Sequence, residues 1–204
     1  MRRRRLPRTF YARDPRRVAP ELLNKVLVHT APGLEPVAVR LVEVEAYCGA
    51  RDPASHAFRG QTPRNATMFG PPGFLYVYFT YGMHWCANVV CETDGVAGAV
   101  LLRGGEPLEG VDLMWTRRPK IARARDLTSG PARLTQALGV TGGDDGTDLV
   151  GGHVRLYDDG TAPPTRPGRS TRVGLRLGEG DQDRWRWFVR DNPNVSPGRP
   201  TGGR

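Results

Sequence analysis

FLYVYFTYGMHWCANVV, residues 74–90, is the stretch that sets the fold class. It is rich in aromatic and β-branched residues, the composition of strands. Tyr81-Gly82 falls in its middle and marks a tight turn, so an antiparallel hairpin is expected with those two residues at the tip. Tyr76 and Tyr78 share one face of the first strand, because side chains two apart point the same way. Tyr81 has the opposite parity and projects from the tip into solvent. Ordinary strand packing accounts well for Tyr76 and poorly for Tyr81.

Upstream, VAVRLVEVEAY at Val37 to Tyr47 reads as a second strand. Val26 to His29 precedes it through the turn residues Pro32-Gly33. Parity puts Glu43, Glu45 and Tyr47 on one side, with Val42, Val44 and Ala46 toward the core. A carboxylate two residues from an aromatic, at a strand end facing a long loop, is an active-site pattern. A solvated sheet face with ordinary polar residues has the same signature and is the commoner case. The loop in question, Cys48 to Gly73, is polar and rich in Gly and Pro, and loops of that length inside a domain are usually functional.

Further strands are expected at Val96 to Arg103, His153 to Tyr157, Arg172 to Leu177 and Trp185 to Arg190. Helices are expected after Asp14-Pro15 to about Asn24, over Pro107 to Arg118, and over Ser129 to Leu138 between Pro131 and Gly139. The Gly/Asp-rich Thr141 to Gly152 reads as a flexible loop. The sum is an α+β fold, a single compact domain with a curved, mostly antiparallel sheet flanked by helices. The domain is taken as residues 10–192, between a basic flexible arm at 1–9 and a Pro/Gly-rich tail at 193–204.

The chain has 204 residues and a formal net charge of +9, with 30 basic against 21 acidic side chains. Lys25 and Lys120 are the only lysines. Arginine forks onto phosphate better than lysine does, so the excess points to a polyanion partner such as nucleic acid. A GC-rich coding sequence would enrich Arg, Gly and Pro in the same way. Neither lysine sits in a segment resembling a site, which argues against a Schiff-base lyase. No apolar run is long enough to span a membrane, and no apolar stretch follows the basic Met1 to Arg5, so a cytoplasmic location is expected. Cys48, Cys86 and Cys91 are too few for a disulfide framework. His84, Cys86 and Cys91 match no zinc spacing, and no phosphate-loop or nucleophile-elbow motif occurs.

The stretch VEVEAYCGARDPASHAFRGQTPRNATMFGPPGFLYVYFTYGMHWCANVV, Val42 to Val90, resembles the 3-methyladenine (alkyladenine) DNA glycosylase family, the type without a helix-hairpin-helix. AVLLRGGEPLEG, SGPARLTQAL, RVGLRL and WFVRDNPNVS extend the resemblance over nearly the whole chain after the basic arm. Matched position by position, it implies that Glu45 is the general base and that Arg103 helps position Glu45 and its water. It implies that Tyr47, His56 and Tyr78 wall the pocket for a flipped base, and that Asn88 crowds the amino group of guanine. Val173 would hold the water through its carbonyl. Tyr81 would wedge through the minor groove, with Arg64 and Met83 as further DNA contacts.

The resemblance implies a monofunctional glycosylase. It would flip 3-methyladenine, 7-methylguanine or hypoxanthine out of duplex DNA, hydrolyse the N-glycosidic bond and leave an abasic site. No metal or cofactor is required by that scheme, and the partner is double-stranded DNA containing damaged purines, bound by a monomer without an obligate protein partner. Arg103 is expected to hold the pKa of Glu45 down. Two competing readings are a basic DNA-binding protein without catalysis, and a nuclease holding Mg²⁺ through Glu43, Glu45, Asp52 and His56.

Overall fold

The computed structural model describes residues 3–80 and 82–198. The hairpin is present as β4 (Leu75–Thr80) and β5 (His84–Val90). Its ladder ends at Thr80 opposite His84, so the connection has three residues rather than the expected two. Gly82 takes a φ of +66° there, the left-handed conformation a three-residue hairpin loop needs and glycine tolerates best. Tyr81 lies outside the described residues.

The other strands are β1 (Arg4–Arg5), β2 (Val26–His29), β3 (Val37–Tyr47), β6 (Ala99–Glu109), β7 (Val154–Asp158), β8 (Gly168–Ser170) and β9 (Arg186–Phe188). They form one antiparallel sheet in the order β1-β7-β2-β3-β6-β5-β4, with β9 joining β3 to β8. The helices are α1 (Arg8–Tyr11), α2 (Pro15–Leu22), α3 (Val111–Arg117) and α4 (Pro131–Leu138). The α+β expectation is met. Asp14 caps α2 through a bond from the Arg16 amide, and Gly139 ends α4 at a φ of +75°.

One cross-strand row organises the sheet. Tyr76 pairs with Asn88, Asn88 with Leu101, and Leu101 with Glu45. Directly opposed residues present their side chains to the same face. That row and its neighbours two residues away, Tyr78, Cys86, Arg103, Glu43 and Tyr47, therefore share one face. The other face carries Val44, Ala46, Val77, Ala87, Val89, Val100 and Leu102, all in the main core. Helices α2 and α4 cover it with Val18, Leu22, Leu134 and Leu138.

Glu43 and Glu45 are fully buried, so the solvated-face alternative does not hold. β3 is bounded on one edge by β6 and on the other by β2 and then β9. A register shift between Leu41 and Glu43 adds a bulge where β9 takes over.

Several expectations change. β6 runs on through Pro107 to Glu109, and the helix begins only at Val111 after Gly110 turns the backbone at φ +65°. Arg172 to Leu177 joins no ladder. Thr141 to Gly152 is anchored rather than loose. Thr141 and Asp144 form a reciprocal capping box, and Leu75, Gly146 and Thr147 exchange backbone bonds along the free edge of β4. The described residues near each end pack against the sheet as well. Arg4 and Arg5 pair with β7, Leu6 is buried in the core, and Asn194 and Ser196 are buried.

Gly104 shows how tightly the last segment sits. A Cβ there would lie 2.7 Å from the Asn194 carbonyl oxygen. Gly104→Ala is expected to lower stability by about 1–3 kcal/mol in urea unfolding. A change within about 0.5 kcal/mol, the range of neutral surface substitutions, would show that residues 193–196 are not held there.

Candidate active site

The face that carries the cross-strand row opens into a cavity of about 250 Å³. Tyr47, His56, Tyr76, Tyr78, Asn88, Arg103 and Val173 line it, together with Met68 from the loop after β3. The rings are fixed against one another. His56 meets Tyr78 edge-on at 4.5 Å, and Tyr76 stacks on Tyr78 at 5.5 Å. His56 Nδ1 lies 3.2 Å from the Tyr76 hydroxyl. Burial, then the charge of Arg64, push the pKa of His56 below its ordinary value, so it stands neutral near pH 7. Asn88 donates from Nδ2 to the Tyr76 carbonyl at 3.2 Å, which fixes the plane of its amide.

Glu45 is fully buried behind the wall of this cavity, bonded to three of its lining residues, Tyr47, Arg103 and Val173. Its Oε2 accepts from the Tyr47 hydroxyl at 2.9 Å and from Arg103 Nη1 at 3.3 Å. Its Oε1 accepts from the backbone N–H of Val173 at 2.8 Å. Val173 thus reaches Glu45 through its amide. A carboxylate oxygen accepts two bonds, so Oε1 keeps one acceptor site in hand.

Burial raises the pKa of Glu45 more than Arg103, the Val173 amide and the Tyr47 hydroxyl lower it. Arg103 acts in the expected direction, but burial outweighs it and the net shift is upward, against the expectation. Arg103 is also shared. Arg103 gives its Nε to Glu43 at 2.9 Å. Glu43 also receives Arg186 Nε at 2.7 Å, the Ser196 amide at 2.6 Å and the Ser196 hydroxyl at 2.8 Å. Burial works against its charge as well, but Arg103 and Arg186 outweigh it and hold the pKa of Glu43 below the ordinary value. The two carboxylates are two residues apart on one face and are driven in opposite directions. Such a split marks different roles.

Arg172 supports the site from behind. Its side chain is fully buried and holds Asp52 through both nitrogens, at 2.6 and 2.8 Å. It donates to the Ala46 carbonyl, and its guanidinium lies 4.7 Å from the Tyr47 ring centre and 4.9 Å from that of Trp185. Tyr47 is thereby clamped from below by a cation–π contact. Arg64 is exposed and donates to the Phe79 carbonyl, and Met83 is exposed in the hairpin connection. Both lie at the tip of the β4–β5 hairpin and outside the cavity lining.

The aromatic cavity with a buried carboxylate agrees with what comparison finds. Residues 9–193 match the family described as methylpurine-DNA glycosylase (MPG). The chain belongs to this family. It is a DNA glycosylase, a hydrolase of DNA repair. Among similar proteins, each named "Putative 3-methyladenine DNA glycosylase", one from Burkholderia lata is 55% identical over 94% of this chain and 90% of its own length. One from Streptomyces avermitilis is 48% identical, over 95% and 92%. One from Chlorobium phaeovibrioides is 45% identical, over 97% and 99%. Among the described residues no helix is long and apolar enough to cross a membrane.

The nuclease alternative fails on geometry. Asp52 is paired with Arg172, and Glu43 with two arginines and Ser196, so these carboxylates form no open cluster for a cation. Sequence reading missed Arg172, Arg186 and Ser196, whose partners lie 120, 143 and 153 residues away. Tyr76 shared parity with Tyr78, and that signal was available. Removing one member of a buried ion pair leaves an uncompensated charge, so Arg172→Leu is expected to cost about 3–5 kcal/mol in urea unfolding. Asp52→Asn combined with it should recover part of that loss. Equal loss in single and double variants would show that the pair is not coupled.

Proposed function

We propose that this glycosylase excises alkylated and deaminated purines from duplex DNA, with 3-methyladenine, 7-methylguanine and hypoxanthine as substrates, and leaves an unbroken abasic site. The observation that carries the reading is the Glu45 carboxylate, held with one acceptor site spare by three donors that themselves line an aromatic cavity. At about 250 Å³ the cavity lies below the usual range of roughly 300–1,000 Å³ for drug-sized ligands. That suits a single base rather than a length of strand, so the nucleotide must be flipped out to enter.

Stacking on Tyr47, Tyr78 and His56 offsets the lost base stack, by roughly 1–3 kcal/mol per aromatic contact. The electron-rich rings attract a cationic alkylpurine, and the neutral His56 adds no opposing charge. The amide of Asn88 excludes the extra amino group of guanine. Tyr81 fills the gap in the duplex, with Arg64 and Met83 as further DNA contacts. Glu45 Oε1 takes a proton from water as the water oxygen bonds to the sugar carbon. The C–N bond breaks, and its electron pair leaves with the base. A cationic alkylpurine departs neutral, whereas hypoxanthine needs a proton as it leaves.

The decisive experiment is single-turnover excision from a duplex carrying one hypoxanthine, in EDTA, with and without hot alkali. Strand breaks only after alkali are expected. Glu45→Gln should keep lesion binding and lose about 10²–10⁴ in rate. Near wild-type excision by that variant would remove Glu45 from the mechanism.

The raised pKa gives a second test. Glu45 must be ionised to act, and its folded pKa lies above the ordinary 4.5. Excision of 7-methylguanine should therefore fall off on the acid side with a midpoint above pH 4.5. A rate that stays flat down to that pH would contradict the assignment.

A further inference from the structure

His29, Asp144 and His153 stand apart from the cavity, and none of them lines it. One ligand atom from each lies within 4.8 Å of the others. They come from three places in the chain. His29 ends β2, Asp144 closes the short 3₁₀ turn Gly142–Asp144, and His153 precedes β7. His29 pairs with Val37 at the far end of β3 from Glu45, eight residues or roughly 25 Å of strand away.

The lone pairs are arranged by their surroundings. His29 is 4% exposed, and its Nδ1 lies 2.9 Å from the Leu138 carbonyl oxygen. A carbonyl can only accept, so Nδ1 carries the hydrogen and Nε2 of the neutral ring presents a lone pair. That Nε2 faces Asp144 Oδ1 at 3.7 Å, beyond hydrogen-bond length, and no polar group of the described residues bonds to it. Asp144 Oδ2 is occupied by the Thr141 amide at 2.7 Å, which aims Oδ1 at the two rings. His153 Nε2 lies 2.7 Å from the same Oδ1 and is half-exposed, so it is free to adjust.

With the hydrogen on Nδ1, the Nε2 lone pair of His29 faces Asp144 Oδ1, and a cation between them would take both; His153, now hydrogen-bonded to Oδ1, is placed to join as a third ligand. Ligands each about 2.0 Å from tetrahedral zinc stand roughly 3.3 Å apart, which brackets the observed separations of 2.7 and 3.7 Å. A histidine whose other nitrogen is fixed by a carbonyl, beside a carboxylate fixed by an amide, is the usual outer support of a metal ligand set. Imidazole with carboxylate suits a borderline cation such as Zn²⁺.

We propose that His29, Asp144 and His153 form a structural Zn²⁺ site, the fourth position taken by water, that fastens the Thr141–Gly152 segment across the open edge of the sheet. Asp145, the next residue, already accepts from the Val77 amide of β4 and from the Thr67 hydroxyl. The metal ties that edge to β2 and β7. It takes no part in excision.

The test is Zn²⁺ binding to the full chain after EDTA treatment and dialysis, followed by calorimetry, by metal content after desalting and by thermal unfolding. One Zn²⁺ per chain is expected, with a rise in Tm of about 5–10 °C at 100-fold excess over Kd. His153→Ala, on the exposed ligand, should fold normally and weaken binding about 100-fold or more. Asp144→Asn should do the same. Failure to bind Zn²⁺ at one per chain would overturn the site. So would stoichiometric binding unchanged in His153→Ala, which would move the metal to the buried thiols of Cys48, Cys86 or Cys91.

Discussion

Glu43 is a buried anion on a central strand, and two arginines and one serine converge on it. Leaving it unpaired would cost several kcal/mol, so β3, β6, β9 and residues 194–196 are obliged to meet at one point. Everything at the site follows from that meeting. Arg103, held by its Nε on Glu43, has only Nη1 left to offer Glu45. β9, held by Arg186, covers the edge of β3 that would otherwise face water. The fold spends one carboxylate as an anchor so that the other can be buried, oriented and left only partly compensated.

The aromatic cavity has a simpler origin. Antiparallel strands in register align their side chains, and the row from Tyr76 to Glu45 crosses four strands without a break. The tyrosines of the cavity, Asn88 and the buried Glu45 carboxylate therefore sit on one rigid surface rather than on loops. The loops supply what the sheet cannot. His56 and Met68 close the cavity from one side and Val173 from another. Arg172 binds those two contributions together, since its guanidinium holds Asp52 and stacks beneath Tyr47.

Much of this was legible in the residues. Period-2 alternation placed Glu43, Glu45 and Tyr47 on one face and Val44 and Ala46 on the other. The hairpin, α4 with its Pro131 and Gly139, and the mixed architecture were readable from local chemistry. The fate of the polar face was not, because alternation cannot say whether water or another strand covers it. Arg172 to Leu177 looked like a strand because its composition suits one, yet Arg172 is spent on Asp52 instead. The anchoring of Thr141 to Gly152 was hidden because glycine-rich composition reports freedom of the backbone and not the bonds that later restrain it. The direction of the Glu45 pKa was missed for a similar reason, since the full burial that raises it is not visible in the alternation.

The Ser196–Glu43 bond also bears on when the protein becomes itself. Its two ends are 153 residues apart in sequence. During synthesis the chain carries β3 and β6 long before it has Arg186 or Ser196 to offer. Until residues 186–196 have been made, Glu43 has Arg103 alone among these partners. Translation order thus acts as a timer. The earlier parts can collapse around the aliphatic face, but the surroundings of Glu43 and Glu45 are complete only after residues 186–196 have emerged.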